Sequence, residues 1–230
     1  MTERNTRTPI DASHWNQVDA TDFVAANTCA VTVGLVPEVT LLLAHESLAM
    51  WQMTEPELTE SGLPAPFWAF AWAGGQALAR YILDNEPAVH RKRVLDFASG
   101  SGLVGIAAAM AGATSVLAAD LDPMASAACA LNARENRVVV STTEDDFIGQ
   151  NTDAFDVILA GDVFYEQPMA EHVERWLRGA HAGGATVLVG DPGRSYFPRQ
   201  AMTELATYDV PVLRALEDCE FRRTTVWCFS

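Results

Sequence analysis

The chain predicts an α/β fold: a mostly parallel sheet with helices on both faces, an antiparallel hairpin at its C-terminal end, and an N-terminal α+β extension in front. Three observations predict it. Strand-like and helix-like periods alternate after about residue 66. A glycine-rich loop joins the first of those strands to its helix. The tail carries two β-rich runs joined by a polar stretch, as a hairpin would be. Strands alternating with helices of this length imply right-handed βαβ crossovers, which place ligands at the carboxyl ends of the strands. With 230 residues, 49% hydrophobic and 20% charged, the chain can bury a substantial core and is not disordered.

The elements follow in order. Residues 1–65 form the extension, with strand-like runs at Ala30 to Val33 and Val39 to Leu43 and a helix around Ser47 to Met53. The composition shifts at Pro64-Ala65-Pro66, and the main domain runs from 66 to 230. From Gly74 to Asn85 the spacing is helical, with Leu78, Tyr81 and Ile82 on one face and Pro87 as the stop. Val94 to Phe97 is a short buried strand ending in glycines, and Leu103 to Met110 a helix of small residues. Ser115 to Ala119 is the next strand. Pro123 to Asn136 is a helix with proline in its first turn. Strands are then expected at Val138 to Ser141, Phe155 to Ala160 and Ala185 to Val189, with a helix at Pro168 to Leu177. Tyr208 to Leu213 and Thr224 to Phe229 make the closing hairpin, giving a mixed sheet.

Charge narrows the partners. Thirty acidic against fifteen basic residues give a formal charge of −15, which argues against a nucleic-acid backbone and for a partner with exposed lysines or arginines. Four scattered cysteines without a C-x-x-C pair, and five histidines without an H-x-x-x-H pair, give no zinc spacing. A disulfide framework is not expected in a chain this long with so few cysteines, so a reducing compartment is. The N-terminal stretch reads as neither signal nor transit peptide, and no apolar run reaches the roughly 18–20 residues of a membrane span. A soluble cytoplasmic protein that binds neither nucleic acid nor membrane is expected.

The central motif is Asp96-Phe97-Ala98-Ser99-Gly100-Ser101-Gly102, after a strand and before a helix. Glycines there let the backbone turn tightly and approach a ligand, and the helix start offers N–H donors. Asp120 closes the next strand, where a carboxylate can accept hydrogen bonds from ribose hydroxyls. Gly100-Ser101-Gly102-Leu103-Val104-Gly105 also satisfies the dinucleotide pattern G-x-G-x-x-G, so a nicotinamide-dependent oxidoreductase using Gly100, Gly102 and Gly105 is an alternative. Asp96 favours another ligand. An acid at that strand end repels a pyrophosphate but attracts the ammonium and sulfonium of S-adenosylmethionine. The motif resembles that of class I, Rossmann-like S-adenosylmethionine-dependent methyltransferases, an acid followed by a G-x-G loop. By that resemblance Gly100 and Gly102 contact the methionine part, Asp120 the ribose, and Asp145 or Asp146 lies near the adenine. The product would be S-adenosylhomocysteine. A solvated loop is the other reading of Asp145-Asp146.

After the fourth strand of the main domain comes Gly161-Asp162-Val163-Phe164-Tyr165-Glu166, where class I enzymes present the methyl group. If the nucleophile is lysine, the neutral amine costs roughly 4–5 kcal/mol at pH 7, from a reference pKa near 10.4. Burial against aromatics lowers that cost, whereas a carboxylate alone raises it. Asp162 is therefore the candidate for aiming the amine and Tyr165 for the apolar wall, with Asp162 also on the cofactor side. Its other reading is the cap of the following helix.

The segment Pro66-Phe67-Trp68-Ala69-Phe70-Ala71-Trp72-Ala73-Gly74-Gly75, with Asp162-Val163-Phe164-Tyr165 and Gly190-Asp191-Pro192-Gly193-Arg194, narrows the likeness. Together with Leu131-Asn132-Ala133 and Thr225-Val226-Trp227, these strings resemble the lysine methyltransferases of the electron transfer flavoprotein β-subunit. The resemblance implies a seven-stranded fold, S-adenosylmethionine as cofactor without metal, and a lysine-bearing protein substrate. The flavoprotein β-subunit is favoured, with a ribosomal protein as the substrate alternative. A catalytically silent cofactor-binding module is the reading from another class. Animal members act in mitochondria, and this chain's N-terminal residues carry no import signal, so a bacterial relative is expected. Trp72 and Gly74 would form a lid over the cofactor; Glu46, Trp68 and Arg194 are candidates for the substrate side. Phe67, Trp68, Phe70 and Trp72 read equally as core aromatics, and Asp191-Pro192-Gly193-Arg194 as a turn.

Overall fold

A computed structural model describes residues 19–44 and 65–229. Asp19 opens helix α1 (Ala20–Asn27) by accepting the backbone N–H groups of Thr21 and Asp22 at 2.9 and 3.2 Å. This helix was not anticipated from the sequence: only Phe23 and Val24 are buried in it, too few to show a period. Strands β1 (Thr28–Thr32) and β2 (Thr40–Ala44) pair antiparallel through a turn. The expected helix at 47–53 lies outside the described residues, as does Glu46.

A single 3-10 turn (Phe67–Ala69) leads into α2 (Ala73–Asp84), β3 (Arg93–Phe97), α3 (Leu103–Met110), β4 (Ser115–Ala119) and α4 (Pro123–Glu135). Then follow β5 (Ser141–Thr143), β6 (Val157–Gly161), α5 (Met169–Ala182), β7 (Thr186–Asp191), β8 (Met202–Pro211), the short α6 (Arg214–Glu217) and β9 (Phe221–Phe229). The seven strands β3 to β9 form one sheet in the order β5-β4-β3-β6-β7-β9-β8, parallel except for the antiparallel pairings of β9 with β7 and β8.

Alternation along each central strand explains why both faces are covered. Val94, Val157 and Leu159 join Leu78, Ile82 and Ile106 of α2 and α3 on one face. Leu95, Ile158 and Ala160 join Val173, Trp176 and Leu177 of α5 on the other. Val33, Val36, Val39 and Leu41 of the extension belong to the first of these cores. Asn132, fully buried on α4, fastens the extension to the main sheet. Its Oδ1 accepts Leu42 N–H at 2.7 Å while its Nδ2 donates to Ser101 O at 2.8 Å. Among the described residues no helix is long and apolar enough to cross a membrane.

Three expectations shift. The valine run at 138–140 is not itself the strand. Val139 is 88% exposed, and pairing with β4 begins only at Ser141. The hairpin's first strand starts at Met202, before a bulge between Glu204 and Ala206, and its polar connection carries α6. Helix α5 runs on to Ala182 because Gly183 and Gly184, not residue 177, end it.

Candidate active site

The order in which strands are added to the sheet reverses between the parallel neighbours β3 and β6, and the crevice at their carboxyl ends is a cavity of about 540 Å³. Its lower wall is the loop after β3. Ala98, Gly100 and Gly102 all adopt left-handed φ, at 52°, 51° and 78°. At Gly102 a Cβ would stand 2.4 Å from Cys129 Sγ, so only glycine fits the start of α3. Asp120 Oδ2 accepts Gly100 N–H at 2.8 Å and its Oδ1 accepts Asp122 N–H at 3.1 Å. Each oxygen keeps a lone pair, and Asp120 lines the cavity.

Asp96 is 1% exposed and accepts Gly105 N–H at 2.8 Å. Gly105 therefore lets the first turn of α3 close over that carboxylate. Burial pushes Asp96 up to about 8, the Gly105 bond opposing and the charge of Asp120 adding to it. Burial also raises Asp120 and Asp122. Asp145 and Asp146 both line the cavity and are exposed; Asp145 is hydrogen-bonded to the Thr143 hydroxyl, Asp146 to Ile148 N–H.

The upper wall is aromatic. Phe67 packs against Tyr165 with ring centroids 5.4 Å apart and against Trp72 at 5.8 Å, and Trp72 Nε1 donates to Phe67 O at 2.8 Å. Tyr165 is 41% exposed at the rim, and its phenol is held up first by burial and then by Glu166, Asp120 and Asp162.

Asp162 follows β6 with a left-handed φ of 64°, a conformation aspartate tolerates better than most residues. Its Oδ2 accepts Gly74 N–H at 2.8 Å, its Oδ1 accepts Arg194 Nε, and its own N–H donates to Gly190 O at 2.9 Å. It therefore caps α2 rather than the following helix, which begins at Met169. Burial raises the Asp162 carboxyl while Arg194 and Gly74 pull it back.

Arg194 lines the cavity, lies over the Trp72 ring at 6.0 Å, and donates from Nη2 to Glu217 at 2.8 Å. Burial works against its charge, but Asp162 and Glu217 hold it protonated. Asp191 shapes the turn before it by accepting Gly193 and Arg194 N–H at 2.7 and 2.8 Å. Burial pushes Asp191 up to about 6.

Asp96, Gly100, Asp120, Asp145, Asp162, Tyr165, Trp72 and Arg194 thus line one cavity. Three expected site residues sit differently. Gly102 is buried and absent from the cavity wall, its missing Cβ making room for Cys129. Gly74 is absent from the cavity wall: α2 crosses the ends of β6 and β7 so closely that a Cβ there would meet Gly190 O at 2.3 Å. Trp68 lines the inner wall but is 2% exposed and packs edge-on against Phe23, so it offers no surface to a protein partner. Sequence reasoning missed Asn132 as the tie beneath Ser101, and Glu217 as a partner of Arg194. The acid at the end of α6 carried no local pattern that could single it out.

Known proteins resemble this chain to different extents. The family model for ribosomal protein L11 methyltransferase (PrmA) matches residues 76–190. The chain is 35% identical over 226 residues to the electron transfer flavoprotein beta subunit lysine methyltransferase of Danio rerio, covering 95% of this chain and 86% of that protein. It is 37% identical over 214 residues to the Xenopus laevis protein of the same name, covering 90% and 86%. The crystal structure of ribosomal protein L11 methylase from Lactobacillus delbrueckii subsp. bulgaricus superposes with a TM-score of 0.51 at 17% identity, covering 86% of this chain and 97% of that one. That likeness shows the fold.

Proposed function

The chain belongs to the electron transfer flavoprotein β-subunit lysine methyltransferase family, and on that premise we propose that its substrate is the β-subunit of an electron transfer flavoprotein. It is an S-adenosylmethionine-dependent protein-lysine N-methyltransferase. The observation that carries the substrate is the extent of the likeness, 90% or more of the chain. The ribosomal match stops at residue 190, short of Arg194 and the hairpin, so the ribosomal alternative is not favoured.

The residues fit the cofactor. The left-handed loop at Gly100 and Gly102 leaves no room for a side chain at 102, and Asp120 lines the cavity with a lone pair kept on each oxygen. In this reading Gly100 and Gly102 hold the methionine part, with Asp96 beneath it. Asp120 takes the ribose hydroxyls, Asp145 or Asp146 lies beside the adenine, and Trp72 walls the site. When bound, S-adenosylmethionine supplies an electrophilic methyl group.

The chain's own residues prepare the nucleophile. The Phe67, Trp72 and Tyr165 rings remove water from an entering lysine, which favours the neutral amine, and Arg194, paired with Asp162, offsets the pull of that carboxylate toward the ammonium. Each Asp162 oxygen holds one protein donor and keeps a lone pair, so the carboxylate can accept an amine N–H and aim the nitrogen's own lone pair along the line of attack.

Incubation with methyl-labelled S-adenosylmethionine and purified flavoprotein, read by peptide mass spectrometry, is expected to place label on lysine side chains of the β-subunit. Label appearing only on other proteins, nucleic acid or small molecules overturns the substrate assignment.

A further inference from the structure

We propose that Glu217, on the short helix between the hairpin strands, is a positioning residue for methyl transfer that acts through Arg194. The inference rests on the reading of Asp162 and Tyr165 as the transfer rim.

Four charges of alternating sign run from that rim to the edge of the hairpin. Asp162 Oδ1 accepts Arg194 Nε, and Arg194 Nη2 donates to Glu217 Oε1 at 2.8 Å. Glu217 Oε2 stands 3.7 Å from Arg222 Nε, an ion pair without a hydrogen bond. The Glu217 side chain is 6% exposed, close to the 5% of Asp162, so both carboxylates have left water for the same guanidinium.

Neutralising Asp162 needs only Arg194. Glu217 does something else: it fixes the second nitrogen of a planar fork. With Nε on Asp162, Nη2 on Glu217 and the Trp72 ring beneath its face, the guanidinium has one orientation. Two consequences follow. The Asp162 oxygens stay aimed by their present donors rather than by a swinging cation. Arg194 lines the cavity and its Nη1 has no protein partner among the described residues, which leaves that nitrogen as a fixed donor pair for an acceptor on the incoming protein, such as the main-chain carbonyl beside the target lysine. Helix α6 belongs to the hairpin, so the hairpin reaches the chemistry through this side chain.

Arginine side-chain NMR tests the placement directly. In ¹⁵N-arginine-labelled protein, with Arg194→Lys identifying the resonance, the Arg194 Nη signals are expected to be separate because rotation about Nε–Cζ is slow. Glu217→Ala should merge them, and Glu217→Gln, which keeps an acceptor for Nη2, should retain at least partial separation. Turnover is compared per S-adenosylhomocysteine-binding site counted by calorimetry, so that loss of folded protein drops out. Glu217→Ala is expected to lower kcat/KM for the protein substrate by about tenfold or more, with cofactor affinity within about twofold, and Glu217→Gln to recover about threefold of that loss. Separate Arg194 signals in the alanine variant, or kcat/KM per site within about twofold of wild type whatever the melting temperature, overturns the proposal. If the wild-type protein leaves the flavoprotein unlabelled, the substrate assignment fails by itself, and the NMR comparison still decides what Glu217 holds.

Discussion

At the scale of single residues, the site is governed by how burial treats carboxylates. Asp96 and Asp191 are raised by burial to about 8 and about 6, whereas Arg93 holds Asp156 down at about 2. A carboxyl raised on folding binds a proton that the unfolded chain releases, so its contribution to stability is lost as pH rises from the unfolded value toward the folded one. For Asp191 that window closes near pH 6; for Asp96 it extends to about pH 8. The unliganded protein is therefore expected to lose stability between pH 6 and 8, and Asp96→Asn should flatten that decline by up to about 1.4 kcal/mol per pH unit. Thermal melts of both proteins across the range measure the difference, and parallel curves would show that Asp96 does not hold its proton. The same residue explains a limit of sequence reading. The acid at the end of β3 was legible as an attractor for a cationic ligand. That it lies 1% exposed beneath the Gly105 N–H was not, because burial is set by how α3 closes over it.

At the scale of elements, helix α2 stands where four glycines meet, Gly74 and Gly75 of the helix against Gly161 and Gly190 of the strands. A Cβ on Gly190 would come within 2.0 Å of Gly74 O, and one on Gly161 within 2.9 Å of Gly75 Cα. The obstacles are backbone atoms, which no side-chain rotation relieves, and the same contact sets Gly74 N–H against Asp162. Gly74→Ala is thus expected to cost about 3 kcal/mol or more, a large value with a named overpacking cause. Gly179→Ala in α5, where nothing lies within 4 Å, should stabilise by about 0.5–1 kcal/mol. Denaturant unfolding of the two variants checks the pair, and similar effects from both would refute the crossing argument. The elements themselves were largely legible. The β3, α3 and β4 boundaries lie within a residue of expectation, because a buried run, a glycine turn and a small-residue helix are local signals. The strand expected at 138–141 slipped because three valines advertise β-propensity where no neighbouring strand reaches, and β4 offers partners only from Ser141 onward. The partners of Asp162 were illegible for a related reason: Arg194 is 32 residues away and Glu217 a further 23, and only the order of strands brings them together.

At the scale of the whole molecule, a charge of −15 surrounds a cavity whose nucleophile arrives as a lysine on another protein. Asp145 and Asp146 on the cavity wall and Glu166 beside Tyr165 are exposed, so the field is negative around the cavity. Such a field raises the rate of encounter with a basic surface, while the chemistry inside the aromatic wall is shielded from added ions. Screening separates the two. The Debye length falls from roughly 14 Å at 0.05 M salt to about 4–5 Å at 0.5 M, which removes attraction between exposed charges but not that within the buried Asp162–Arg194 pair. Across that range kcat/KM for the protein substrate is expected to fall about fivefold or more while kcat changes by less than about twofold. Glu166→Lys should lower the low-salt kcat/KM and flatten its salt dependence. A kcat that fell in step with kcat/KM would mean that salt acts on the transfer step itself, and that the acidic surface plays no part in bringing the lysine to the cavity.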